Sequence, residues 1–340
     1  MRDLIARIKQ FIKKAIAWVL TLKLVRSFLL YIEYRGPMLA DSVTYRTLFS
    51  VFAGVLLGFT IAAIWLGDNP QVIEAIVAAV DAAVPGLVGP GGVVDPEDIT
   101  APAGLTFASI ASAVVLVFTA ISAITALRNA MRLIAGKLRD DLPYVWKMLR
   151  NLALAIGIAL ALVASAVMTV LANVGVDLVA NLFGVSESGP AARTLTRWAG
   201  IGVVFLLDVA VIAVLFLSLS GVKAPARALW PGALLGGAGL IVLQELSGLF
   251  VGGATSNPLL ATFASLIALL LWFNLSAQVI LIASAYIVVG VLESEDRVRE
   301  KYGASTFAQR RVRRAEAAVQ AASDELRTAR EAEAKERASA

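Results

Sequence analysis

Two carboxylates stand inside long apolar stretches: Asp208 in Leu206-Leu207-Asp208-Val209 and Glu245 in Val242-Leu243-Gln244-Glu245-Leu246. An ionisable group at membrane depth is costly and marks a functional hypothesis: proton exchange or contact with a polar substrate group. Asn274 and Gln278 lie one helical turn apart in a third apolar stretch, so they share a face and offer hydrogen bonds there. Ser165, Thr169 and Asn173 form a similar polar stripe. Together these residues suggest a polar interior, with Asp208, Glu245, Gln244, Asn274 and Gln278 as candidates for a substrate or proton pathway. The competing reading is that they bond across helices and hold a bundle together, by about 0.6 kcal/mol each. No basic residue is expected at comparable depth.

Other chemistry is excluded by composition. The 340 residues include no histidine and no cysteine, which removes imidazole metal ligands, histidine-based triads, thiol nucleophiles and disulfides. There is no Gly-x-x-x-x-Gly-Lys-Ser/Thr loop to cradle a nucleotide. No catalytic residue, metal or cofactor is expected, and the chain is read as not being an enzyme.

The elements that must position these groups are membrane helices. The chain is 59% hydrophobic and 16% charged, where an ordinary soluble domain is about 25% charged. About 20 apolar helical residues cross a bilayer core. Six stretches qualify: Leu48–Leu66, Gly104–Leu127, Leu152–Val176, Ala199–Ser220, Pro231–Gly253 and Leu259–Leu292. They are continuously apolar rather than alternating, which favours an all-α polytopic bundle over a barrel. Of the 30 lysines and arginines, all but Arg193 and Arg197 fall on one side of this arrangement. Both termini are therefore expected in the cytoplasm, and the formal charge of +5 reflects orientation rather than a nucleic-acid partner. Arg128 is counted among the bases of the inner connection between the second and third spans.

Three regions follow: a basic amphipathic amino-terminal segment (residues 1–40), a six-span domain (41–292) and a charged helical tail (293–340). In the first, Leu4, Ile8, Phe11, Ile12, Ala15 and Val19 line one face, which suits a helix lying on the anionic leaflet. Packing beneath the bundle is the alternative. In the tail, Val312, Val319 and Leu326 recur every seven residues with Ala315, Ala322 and Ala329 between them. Alanine buries little area, so a solvated, partly frayed helix is favoured over a coiled coil. Gly54-xxx-Gly58 and Gly232-xxx-Gly236 would let helices approach closely.

In the last two spans, Leu229-Trp230-Pro231-Gly232-Ala233-Leu234-Leu235, Gln244-Glu245-Leu246 and Leu269-Leu270-Leu271-Trp272-Phe273-Asn274-Leu275-Ser276-Ala277-Gln278 resemble the YihY/BrkB family of bacterial inner-membrane proteins. Upstream, Asp41-Ser42-Val43-Thr44-Tyr45-Arg46 resembles the opening of that family's first span, with Arg46 an added charge and Ala53 where proline is usual. The resemblance covers roughly Gly36–Leu292. It implies a plasma-membrane protein that supports envelope integrity, with membrane lipids as partners and a lipid-like or small amphipathic molecule as substrate. A non-transporting scaffold that recruits envelope proteins through its tail and amino-terminal helix is the alternative. The ribonuclease label that members have carried finds no support in these residues. Oligomeric state is left open.

Overall fold

The computed structural model describes residues 17–66, 107–137, 145–161, 190–252, 261–295 and 306–339, together with Gln10, Lys14 and Pro143. Ser165, Thr169 and Asn173, and Leu4, Ile8, Phe11, Ile12 and Ala15 of the amino-terminal stripe, lie outside the described residues. All regular structure among the described residues is helical: α1 (Lys23–Glu33), α2 (Gly36–Leu66), α3 (Phe107–Ile134), α4 (145–161), α5 (Pro190–Leu219), α6 (Ala226–Gly252), α7 (Ala261–Glu295) and α8 (Phe307–Ser339).

Local sequence sets the boundaries. Arg35 takes a left-handed backbone (φ 55°) and breaks α1 from α2. Gly36 follows because a Cβ there would lie 2.1 Å from the Tyr31 ring, and Pro37 suits the first turn of α2. Pro190 opens α5 in the same way. Pro231 falls inside α6, where membrane helices tolerate the lost backbone bond.

Four described helices contain stretches long and apolar enough to cross a membrane: Ala113–Ile134, Gly200–Leu219, Ala226–Leu246 and Leu266–Ser294, of 20 to 29 residues. At 1.5 Å per residue each exceeds or matches a core about 30 Å thick. Their outward faces present Phe118, Leu206, Val214, Val242 and Ile267 to the surroundings, an apolar exterior suited to lipid rather than water. α3 runs on to Ile134, so Arg128 is not a loop residue. It is 3% exposed within the helix, which corrects its assignment to the inner loop.

The bundle is organised around α7. No residue from Leu281 to Val291 is exposed. On one side Leu281 and Ala285 pack with Val43, Leu127, Met131, Ile134, Leu215 and Leu219. On the other, Ala283 and Ile287 pack with Ile212, Phe216, Leu229 and Ala233. α6 comes so near that small residues are required: Cβ atoms built on Gly232, Gly236 and Gly239 would lie 2.3 Å from Ile287, 2.8 Å from Ala283 and 2.8 Å from Val279. Lipid tails are as apolar as leucine, so helices associate here through close van der Waals contact and polar bonds.

Gly236→Ala should therefore lower the thermal midpoint in detergent, at a cost of about 1–3 kcal/mol. Gly202→Ala, with nothing within 4 Å of the added Cβ, should leave it unchanged or slightly raised. Equal midpoints for the two variants would contradict the close α6–α7 contact.

Candidate functional site

The glycine contacts set the relative levels of the polar side chains on α5, α6 and α7. Along α6 and α7 the antiparallel register runs Gly232–Ile287, Gly236–Ala283, Gly239–Val279. Continued one turn further, it brings Gln244 and Glu245 level with Asn274. Between α5 and α6, Gly236 meets Ile212 and Gly237 meets Val209. Asp208, next to Val209, is thus level with Gly237 to Gly239, and so with Val279 and Gln278.

A chain of hydrogen bonds occupies this depth. The Gln278 Nε2 donates to Asn274 Oδ1 at 2.6 Å. Asn274 Nδ2 donates to Asp41 Oδ1 at 2.7 Å and to Thr44 Oγ1 at 3.4 Å. The Thr44 hydroxyl, buried, donates to the Ala40 carbonyl at 2.8 Å. Asp41 and Thr44 share a face of α2 because they are three residues apart, and α7 lies against that face. Asp41 is exposed along its other side. On the opposite flank of α2, Arg46 Nη1 donates to Ser122 Oγ of α3 at 2.9 Å. The α2–α3 register set by Gly54 against Leu116 and Arg46 against Ser122 places buried Arg128 about level with Asp41. A basic residue at the depth of the polar groups was not expected from sequence. Nearby, Asn151 Nδ2 donates to Thr125 Oγ1 at 2.9 Å and ties α4 to α3.

The buried polar atoms without a hydrogen-bond partner among the described residues include Asp208 Oδ2, Trp272 Nε1, Ser276 Oγ and Asn151 Oδ1. Leaving such a group dry and unbonded costs roughly 1–3 kcal/mol. The structure therefore brings Asn274 and Gln278 together with Asp41 and Thr44 and sets Asp208 at their level on α5. Gln244 is half-buried and Glu245 exposed on α6. Sequence reasoning missed Asp41, Thr44 and Arg128 as site residues. The three-residue spacing of Asp41 and Thr44 was the available signal.

A second polar cluster holds the other end of α7. Glu293 pairs with Arg26, whose side chain is 3% exposed, and lies 3.9 Å from Lys23 Nζ. Lys23 also sits 4.1 Å above the Tyr286 ring, in space left by Gly290. Burial lowers the Lys23 pKa; Glu293 opposes that shift and Arg26 adds to it. At the far end of α1, Glu33 pairs with Arg310 of the tail at 3.1 Å. This part of the amino-terminal segment thus packs against the bundle through Arg26, Ser27 and Tyr31, while Leu24, Phe28 and Ile32 form an exposed apolar stripe on its other face.

An apolar bundle with polar side chains gathered between its helices defines an integral membrane protein. The virulence factor BrkB family model matches residues 28–305, and the chain belongs to that family of bacterial membrane proteins. No curated protein and no solved structure matches it.

Two outcomes follow from this geometry. Glu293→Gln strands Arg26 without its carboxylate and should cost about 3 kcal/mol; a paired Arg26→Met, Glu293→Met variant should recover much of that midpoint. Separately, burial, with help from Asp41, raises the Tyr31 pKa from 10.0 to about 12. A raised pKa means stability that is full below pH 10 and lost as pH climbs through 12. Tyr31→Phe should match the parent at neutral pH and soften the alkaline loss; identical alkaline melts would contradict the assignment.

Proposed function

We propose that this protein crosses the bacterial inner membrane six times, with both termini in the cytoplasm, and moves or helps to move a lipid-like or small amphipathic molecule in support of the envelope. The orientation rests on the lysines and arginines, which gather at one set of helix ends as the positive-inside rule requires.

One observation carries the translocation reading. Asp208 keeps a buried carboxylate oxygen without a hydrogen-bond partner among the described residues, level with the Gln278–Asn274–Asp41 chain. An unpaired polar atom in a low-dielectric interior weakens the fold, and an ionisable group held at that depth is a candidate for function. Asp208 is suited to exchanging a proton or meeting a polar headgroup as it passes. Asn274 and Gln278 supply bonds that can be made and released along the way, and Asp41 opens the chain to the exposed face of α2.

The scaffold reading draws on a different feature. α8 is largely exposed beyond its Arg310–Glu33 tie, leaving surface for a recruited protein. Removing residues 306–340 separates the two readings: a scaffold loses envelope protection, and a translocator largely keeps it.

The deciding experiment uses purified full-length protein in liposomes, with fluorescent phospholipid scrambling and small-solute flux as readouts. Asp208→Asn keeps the shape of the side chain and should lower the rate by roughly an order of magnitude while expression and melting stay near the parent's. An unchanged rate, or an equal loss of folded protein, would sink the translocation reading.

A further inference from the structure

The tail offers a surface that stays exposed among the described residues. α8 is a continuous helix from Phe307 to Ser339. Arg310, near its start, ties it to Glu33 of α1. Beyond that point Val312, Val319 and Leu326 are 57%, 66% and 53% exposed. Spaced by seven, they fall on one stripe with Ala315, Ala322 and Ala329, the a and d positions of three heptads. A solvated helix has no need of three β-branched or leucine side chains on one line facing water.

The flanking charges say what fits. With Val312 at a, the g positions hold Arg311, Ala318 and Glu325, and the e positions hold Glu316, Ser323 and Arg330. In a parallel pair each g residue faces the e′ residue five places on in the partner. Arg311 then faces Glu316, Ala318 faces Ser323, and Glu325 faces Arg330. Both charged pairs are attractive and neither is like-signed. Residues five apart do not meet on one helix, so this pattern has no use within a single α8. Arg327 with Asp324 and Arg337 with Glu333 are charged contacts made within the helix.

We infer that α8 is a self-association element: it pairs with α8 of a second copy of this chain as a short parallel coiled coil. Parallel pairing follows from the membrane. Two copies in one bilayer are related by an axis along its normal, so tails leaving α7 run in the same direction. The seam is modest, because alanine at d buries little. It suffices because co-residence in the bilayer raises the effective concentration of one tail near another. Glu333 at the next a position closes the seam after three heptads.

The absence of cysteine makes the test direct. Single cysteines at Leu326 or Val319, on the seam, and at Ala317, on the far side, are introduced into the full-length protein in liposomes and exposed to a mild oxidant. Leu326→Cys and Val319→Cys should form disulfide-linked dimers several-fold faster than Ala317→Cys. In the Leu326→Cys background, Arg311→Glu should slow cross-linking and adding Glu316→Arg should restore it. Equal rates at seam and far-side positions would overturn the inference. So would cross-linking of Val312→Cys only with Leu326→Cys, the signature of antiparallel pairing, or the failure of Glu316→Arg to rescue Arg311→Glu. Circular dichroism and melting of each variant report whether α8 and the bundle remain folded.

Discussion

Everything in this bundle depends on how closely α6 lies against α7. In lipid there is no hydrophobic force to drive apolar helices together, and stability comes from backbone-to-backbone approach and from polar bonds between spans. Gly232, Gly236 and Gly239 remove the side chains that would hold the two helices apart, and Ile287, Ala283 and Val279 occupy the space. The same face of α6 receives Ile212 and Val209 from α5. One glycine-lined face therefore sets the vertical register of three helices. α2 and α3 then close around α7 from the other side, through Val43, Leu127 and Leu281.

That register has a chemical consequence. Polar residues far apart in sequence come to one depth: Asp41 and Thr44 on α2, Asp208 on α5, Asn274 and Gln278 on α7, with Arg128 of α3 close to the level of Asp41. Asn274 is the hub, donating to α2 and accepting from Gln278. Asp208 stands apart from this chain with one oxygen unsatisfied among the described residues. Bonding capacity is left unused among the described residues by Asp208 on α5 and by Trp272 and Ser276 on α7, and also by the Asn151 Oδ1 beside its bond to Thr125. The Arg26–Glu293 pair and the Lys23–Tyr286 contact hold α1 to the opposite end of α7. α7 is thus fixed at its end while its middle carries the polar groups.

The helical class and the spans described here were legible because lipid imposes one rule on every spanning segment: long apolar runs with all backbone bonds made internally. The pairing of Asn274 with Gln278 was legible from their four-residue spacing. Gly232 and Gly236 read correctly as a close-approach pair, although sequence did not say which helix approached. Arg128 was misplaced because hydropathy windows end at a charge, and burial of that charge is decided by packing between helices rather than by its neighbours in the chain. Asp41 was overlooked for a related reason. It lies before the apolar stretch of the first span, and only the long course of α2 from Gly36 carries it to Asn274. The break at Arg35, which turns the amino-terminal segment against α7, has no hydropathy signal at all.

The central claim is that the layer containing Asp208, Asn274 and Gln278 is a polar interior reached by water or by polar groups, not a sealed seam between helices. Single cysteines placed at these positions in an otherwise cysteine-free chain can be challenged with small, charged, membrane-impermeant thiol reagents in intact vesicles. Labelling at positions 208 and 278, with none at the lipid-facing Leu206 and Val214, is the predicted result. No labelling at any of the four, in protein that melts like the parent, would contradict it.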